Sequence, residues 1–223
     1  MLIPPIISKT IAVNAFTALT FLSATSVSAI NITGVTASTN MGTNHPAIDI
    51  QNTVNGAGLP SNTPALTGLH DRGDNPNVWF SSNGVTTGNI DFNLGGSYNL
   101  SGFSFWNLNA HHGAGINGVI ISTSTDGSAF TSLAGAPTQF SLGQHLSSQN
   151  PEIFAFSPTL ASYVRFTVTS NYGDNTNTGF SEVQFDGTAA TPVPFDFDPS
   201  LGFVSLGVVF GINKWRKNNK KAP

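Results

Sequence analysis

Cysteine is absent from the 223 residues. That excludes a disulfide framework and a Cys-based metal site. It does not argue for the cytoplasm, since a domain of this size folds without disulfides. Charge is scarce too, at 9% of residues. Basic residues are nearly missing from the middle of the chain. Residues 30–190 hold nine Asp/Glu against Arg72 and Arg165, a net charge of −7. So acidic a stretch is a poor nucleic-acid binder and suits cations or neutral polar ligands. No apolar run reaches the roughly 20 residues that span a bilayer comfortably. No helical period and no 20–50-residue repeat is visible, which excludes a helical bundle, a solenoid and a propeller. What is present is Gly, Asn, Ser and Thr, with Phe as the dominant aromatic at 17 residues. That is the composition of a β-rich, loop-rich chain.

The two ends read as addresses. Residues 1–29 carry one basic residue, Lys9, an apolar run over 11–22, and the small-residue ending Val27-Ser28-Ala29. This is a secretory signal peptide pattern, with a short membrane anchor as the alternative. Residues 188–200 form a linker containing Pro194-Phe195-Asp196. Residues 201–223 hold a short apolar helix over 201–212 and a basic tail, Lys214-Trp215-Arg216-Lys217 onward. This order resembles C-terminal sorting signals of the PEP-CTERM type, which are processed by exosortase-like enzymes. Pro194-Phe195-Asp196 stands where that family has Pro-Glu-Pro, closer to the cyanobacterial variant with a Pro-Phe-Glu start. The resemblance implies export and a membrane contact through the C-terminal segment. The bland alternative is an ordinary tail anchor.

The middle, residues 30–187, reads as one domain of about eight short strands. Strands are expected over 30–38, 78–81, 89–94, 100–109, 117–125, 152–156, 163–169 and 180–185, from period-two alternation bounded by turn residues. Asp126-Gly127 is a strong hairpin signal. Long loops fill 39–77, and loops of that length are usually functional or organised by a ligand. The pattern predicts an all-β, jelly-roll β-sandwich.

Residues 163–187 pose the sharpest question. They read as a strand, a nine-residue polar loop and a second strand, which together suggest a hairpin. The second strand carries Glu182 among core-forming residues. A carboxylate there is costly unless something pairs with it. The choices are an ion pair with Arg165 or a lysine, or a bound cation.

Trp106, Asn107, Asn109, His111 and His112 gather flat and amide side chains at a strand end, with Asn171 and Tyr172 in the late loop. Sugars stack on aromatic rings and bond to amides and imidazoles, so these seven are the candidate ligand-binding residues. The alternative for Trp106 is core burial beside Phe105 and Leu108. Adjacent His111 and His112 would point opposite ways on a strand, which disfavours a transition-metal site. Arg72-Gly73-Asp74 matches a cell-adhesion tripeptide, more simply read as chance. Asp71 and Asp74 are too close in one loop to suggest the carboxylate pair of a glycoside hydrolase, and no nucleophile elbow is present, so catalysis is not expected.

Several segments in order resemble the discoidin, or F5/8 type C, family, close to family 32 carbohydrate-binding modules. They are Asn52-Thr53-Val54-Asn55-Gly56, Val78-Trp79-Phe80-Ser81, Ile90-Asp91-Phe92-Asn93-Leu94-Gly95, residues 100–109 and 119–127, Tyr163-Val164-Arg165-Phe166, and Gly179-Phe180-Ser181-Glu182-Val183. The resemblance implies a galactose-binding-like jelly roll with binding loops at one end. It also implies a structural calcium between the early Asn-Gly turn and the late glutamate, with Asn55, Asp71, Asp74 and Glu182 as candidate ligands. Calcium takes six to eight oxygens, many from backbone carbonyls. The expected function is an exported, surface-associated, non-catalytic module that binds carbohydrate or extracellular polysaccharide. The alternatives are a protein-binding or architectural matrix module and, below that, a glycan-active enzyme.

Overall fold

The computed structural model describes residues 30–72 and 77–190, apart from the His112 side chain. The signal peptide, most of the linker, the sorting motif, the C-terminal apolar segment and Asp74 lie outside the described residues. Eight strands are found among them: β1 (Ile30–Asn31), β2 (Thr36–Thr39), β3 (Trp79–Phe80), β4 (Gly88–Asn107), β5 (Val119–Ser124), β6 (Thr131–Ser132), β7 (Glu152–Val168) and β8 (Gly179–Ala189). The helical content there is three short 3₁₀ turns.

Two long strands make the architecture. The 20-residue β4 and the 17-residue β7 pair antiparallel over most of their lengths, with register shifts between Asn93 and Tyr98 and between Leu100 and Gly102. Bulges bend a strand and raise its twist, so each strand serves two layers. In the first layer, β2 and the start of β4 meet the end of β7, which pairs with β5 and then β6. In the second, the end of β4 lies between the start of β7 and β8, and β8 carries β1 and β3 on its far side. The sequence pattern resolves β4 and β7 as two strands each. Gly95-Gly96 and residues 157–162 lack the apolar alternation that marks a strand, yet both strands continue across them: the pairing breaks at 94–97 and at 156–158 and resumes in a shifted register.

Period-two alternation turns Ile90, Phe92, Leu94, Val164 and Phe166 of the first layer toward Phe103, Phe105, Val183 and Phe185 of the second, all buried. Aromatic rings cross between the layers. Phe92 meets Phe185 at 5.2 Å, and Phe166 meets Phe103 at 5.5 Å. Each such pair contributes about 0.5–1.5 kcal/mol beyond its buried area. The abundance of Phe is thereby explained.

The outer face of the second layer is not left to solvent. The irregular segment 49–72 lies over it and is tied down by bonds to β4 and β8. Ser104 donates to the Leu66 carbonyl at 2.6 Å, Trp106 Nε1 to Gly68 O at 3.0 Å, and Gln184 Nε2 to Val54 O at 3.1 Å. Strand β8 is therefore buried on both faces over most of its length.

Two readings of residues 163–187 are corrected. The 163–187 stretch is not a hairpin. The end of β7 belongs to the first layer and β8 to the second, and the loop 169–178 carries the chain across one end of the sandwich. Arg165 is also not the partner of Glu182. It faces outward from the first layer and makes a bidentate bond to Asp91, at 2.6 and 2.8 Å.

Candidate functional site

The crossing loop helps to build a cleft. It is about 630 Å³ and is lined by Asn44, His45, Ile48, Val78, Phe80, Ala110, His111, Ala114, Asp174, Thr176 and Asn177. Its floor is a small apolar cluster, Ile48, Val78 and Ala114 with Leu108 beneath, separate from the main core. The Phe80 and Ala110 side chains, both half-buried, pack on that cluster. The walls are polar and come from three loops: 40–48, 108–116 and 169–178.

Local chemistry holds these walls in place. Asp174 Oδ1 accepts from the Thr176 and Asn177 backbone N–H groups, at 2.6 and 3.0 Å. This is an Asx-type turn. Those bonds, with help from the nearby His111, hold the Asp174 carboxyl below its ordinary pKa, so the cleft carries a negative charge at neutral pH. Asn177 Nδ2 donates to Ser81 O at 2.7 Å, and Asn177 Oδ1 accepts from Asn44 at 3.4 Å. This amide pins loop to loop. His45 Nδ1 accepts from Ala47 N–H at 3.1 Å. The neutral ring therefore carries its proton on Nε2 as a donor. His45 and His111 are both exposed. Neither arginine of the described residues lines the cleft.

Of the ligand candidates whose side chains are described, His111 alone lines this cleft. Trp106 is fully buried and its indole N–H is taken by Gly68, so it presents no ring to a ligand. It is a core residue under the 49–72 segment. Asn107 is buried and its amide is saturated: Nδ2 donates to Ile116 O and Ser141 O, and Oδ1 accepts from Leu108 N and Ile116 N. Asn109 is also buried, bonded to Asp71 O, Ser147 O and Ser181. These three amide and indole groups build the fold and are removed from the ligand set. Asn171 latches the crossing loop through Asp174 O and Asn177 O, at 2.7 and 2.8 Å. Tyr172 donates to Phe140 O at 2.7 Å. Both act on the loop's shape. His112 sits in the 3₁₀ turn His112–Ala114.

Sequence reasoning missed His45, Phe80, Asp174 and Asn177. A signal for Asp174 existed: Asp-Asn-Thr-Asn in a polar loop is turn chemistry that exposes one face of the carboxylate. The pairing of 40–48 with 169–178 had none.

Glu182 sits elsewhere, on the covered face of β8. It is fully buried. Its Oε1 accepts from the Gly56 backbone N–H at 3.1 Å and from Gln184 Nε2, while Oε2 has no hydrogen-bond partner. Burial pushes its carboxyl up to about 8, although both bonds pull the other way. Gly56 has φ +80°, and a Cβ there would stand 2.4 Å from the Pro64 nitrogen. The turn over Glu182 therefore requires glycine. Asn55 is exposed and bonded to Ala57 N–H, and the Asp71 side chain is exposed while its carbonyl binds Asn109 and His70. Among the described residues no group of three His, Cys, Asp or Glu is placed to hold a metal. A hard cation here would rest on one carboxylate and backbone carbonyls. The unpartnered, fully buried Oε2 beneath the 53–58 turn fits one ligand of such an ion.

The fold and cleft define a jelly-roll β-sandwich that presents a loop-built site at one end. The chain belongs to the F5/8 type C domain family, which matches residues 34–183. No curated protein matches it. Among solved structures it is similar to a family 89 glycoside hydrolase from Clostridium perfringens in complex with its substrate GlcNAc-alpha-1,4-galactose. Identity is 20% and the TM-score 0.49, over 72% of this chain and 15% of that enzyme. The chain thus spans less than a sixth of that protein's length. It is also similar to the family 32 carbohydrate-binding module of C. perfringens NanJ in complex with galactose, with 15% identity and TM-score 0.48 over 71% of this chain and 98% of that one. A third is CBM32-1 from a C. perfringens family 31 glycoside hydrolase, with 11% identity and TM-score 0.49 over 70% and 95%.

Proposed function

We propose that this protein is a non-catalytic, exported carbohydrate-binding module whose loop cleft takes a neutral sugar of an extracellular polysaccharide. The observation that carries the reading is the cleft itself: an apolar floor with a half-buried Phe80 ring, flanked by imidazole, amide and carboxylate groups from separate loops. Apolar C–H faces of a sugar suit the floor and its hydroxyls suit the walls. The carboxylate of Asp174 and the lack of Arg or Lys disfavour sulfated and uronic glycans. Membership of the F5/8 type C family supports the same reading.

Calcium is part of the proposal. Glu182 Oε2 and carbonyls of the 53–58 turn would hold it, and the ion would staple the 49–72 segment to β8. The N-terminal pattern supports export, and the C-terminal pattern supports membrane attachment followed by an exosortase-like enzyme. A glycan array read with the purified protein tests the sugar reading. Hits among neutral glycans that disappear in Phe80→Ala are expected. An array with no neutral hit, or hits untouched by that variant, would overturn it.

A further inference from the structure

A second concave site lies on the outer face of the first layer. Strand registry builds it. Thr36 pairs with Asn93 and Asn93 with Tyr163, while Ser38 pairs with Asp91 and Asp91 with Arg165. Cross-strand partners share a face, so two rows of polar side chains run across β2, β4 and β7, opposite the buried Ala37, Phe92 and Val164. The turn at 125–130 folds over this face. Asp126 ties that turn by accepting from the Ser128 and Ala129 N–H groups, at 2.8 and 3.0 Å. Gly127, with φ +75°, lies so close to the Tyr163 ring that a Cβ would stand 3.1 Å from it. Phe130 comes under the Arg165 guanidinium, 3.9 Å from ring centroid to Cζ. The result is a hollow of about 260 Å³ whose lining includes Ser38, Asp91, Asn93, Phe130 and Tyr163.

The chemistry of the hollow is specific. Asp91 is held rigidly: each carboxylate oxygen takes one Arg165 N–H, which leaves lone pairs on both for further donors. Asn93 uses Oδ1 on the Gly95 N–H at 2.9 Å, so its Nδ2 group is the donor that remains. Thr36 and Ser38 are exposed hydroxyls. Tyr163 and Phe130 supply apolar surface. The single positive charge is tied to the single negative one, so neither an anion nor a cation is favoured. An acceptor pair, an amide donor, hydroxyls and aromatic edges at close quarters suit a polyhydroxylated ring. Drug-sized sites run to roughly 300–1,000 Å³, so this one suits a single ring.

We propose that this hollow is a second carbohydrate site, taking one uncharged hexose unit against Asp91, Asn93 and Tyr163. It is distinct from the loop cleft. Val119 of β5 pairs with Val168, beside the crossing loop, while Ser124 pairs with Tyr163 at the other end of the strand. Two sites on one domain would raise affinity for a polymer over its free sugars without any new contact.

Nitrogen-15 spectra of the full chain titrated with galactose, glucose and mannose test this. At least one of the three should shift the amides of Ser38, Asn93 and Phe130, and those shifts should persist in His111→Ala. The double variant Ser38→Ala, Asn93→Ala, both exposed positions, should weaken the response at least tenfold while the rest of the spectrum stays in place. If these amides do not move with any of the three sugars, or if their shifts vanish in His111→Ala, the site is overturned. Movement here with a silent loop cleft would uphold this site and overturn the reading of the cleft instead.

Discussion

Two groups of polar side chains flank the end of β4, and the same residue types do opposite work in them. On one side stand Asn107 and Asn109, both buried. Their bonds go to backbone groups of distant loops: Asn107 to Ile116 and Ser141, and Asn109 to Asp71 and Ser147. On the other side stand Asn44, His45 and His111, all exposed, facing a cleft. Amides are equally good at holding loops and at binding sugar hydroxyls. What separates the two roles is whether the bonding capacity is used up by the chain itself. Removing a saturated buried group leaves several backbone partners unmet, whereas removing an exposed one leaves water to take its place.

The comparison can be broken most forcefully at Asn107. Asn107→Ala leaves three buried backbone groups and the partly buried Ser141 carbonyl without their partner, and should cost about 3–5 kcal/mol in a denaturant titration. A loss under 1 kcal/mol would show that the buried network is not structural. Next comes Glu182. Its carboxyl is raised to about 8 in the folded protein against 4.5 as the ordinary value. The folded state then holds a proton that the unfolded state releases, so calcium-free protein should lose stability as pH rises from about 4.5 through about 8, by on the order of 4 kcal/mol. Thermal melts in chelator should show the fall, Glu182→Gln should flatten it, and added calcium should reverse it at pH 7–8. Melts that ignore both calcium and pH would remove the metal and the buried-carboxylate argument together.

Smaller effects sharpen the other side. His111→Ala should change stability by under about 0.5 kcal/mol, yet weaken glycan binding about tenfold, which calorimetry on a neutral array hit would read. Asp174→Ala frees the Thr176 and Asn177 N–H groups and should cost about 1 kcal/mol together with a similar loss of binding. Least of all, Arg165→Gln should cost about 0.5–1 kcal/mol, because the Asp91–Arg165 pair is about a third exposed.

Much of the fold was legible in the chain. Alternation located the strands, and Asp126-Gly127 located the β5–β6 turn. The continuity of β4 through Gly95-Gly96 was not legible, because glycines that usually end a strand here sit in a bulge beyond which the pairing with β7 resumes at Tyr98. The site was less legible than the fold. Trp106 looks the same in sequence whether it lines a groove or lies under a lid. Its burial depends on segment 49–72, which is 38 residues away at the Gly68 contact and has no strand pattern. His45 and Asp174 lie 129 positions apart, and no local rule joins them.

What the amino-acid sequence determined by itself was local: a β-rich chain without disulfides, the period-two faces, the turn chemistry at Asp126 and Asp174, and a lone carboxylate at Glu182 that needed an explanation. Which polar groups face outward was decided only by the tertiary structure. Burial is a property of what covers a residue, and the covering segments 49–72, 108–116 and 169–178 are irregular loops placed by long-range bonds. The physics that shapes a strand acts between neighbours in sequence. The physics that leaves His111 open and closes Asn109 acts between residues brought together by the fold.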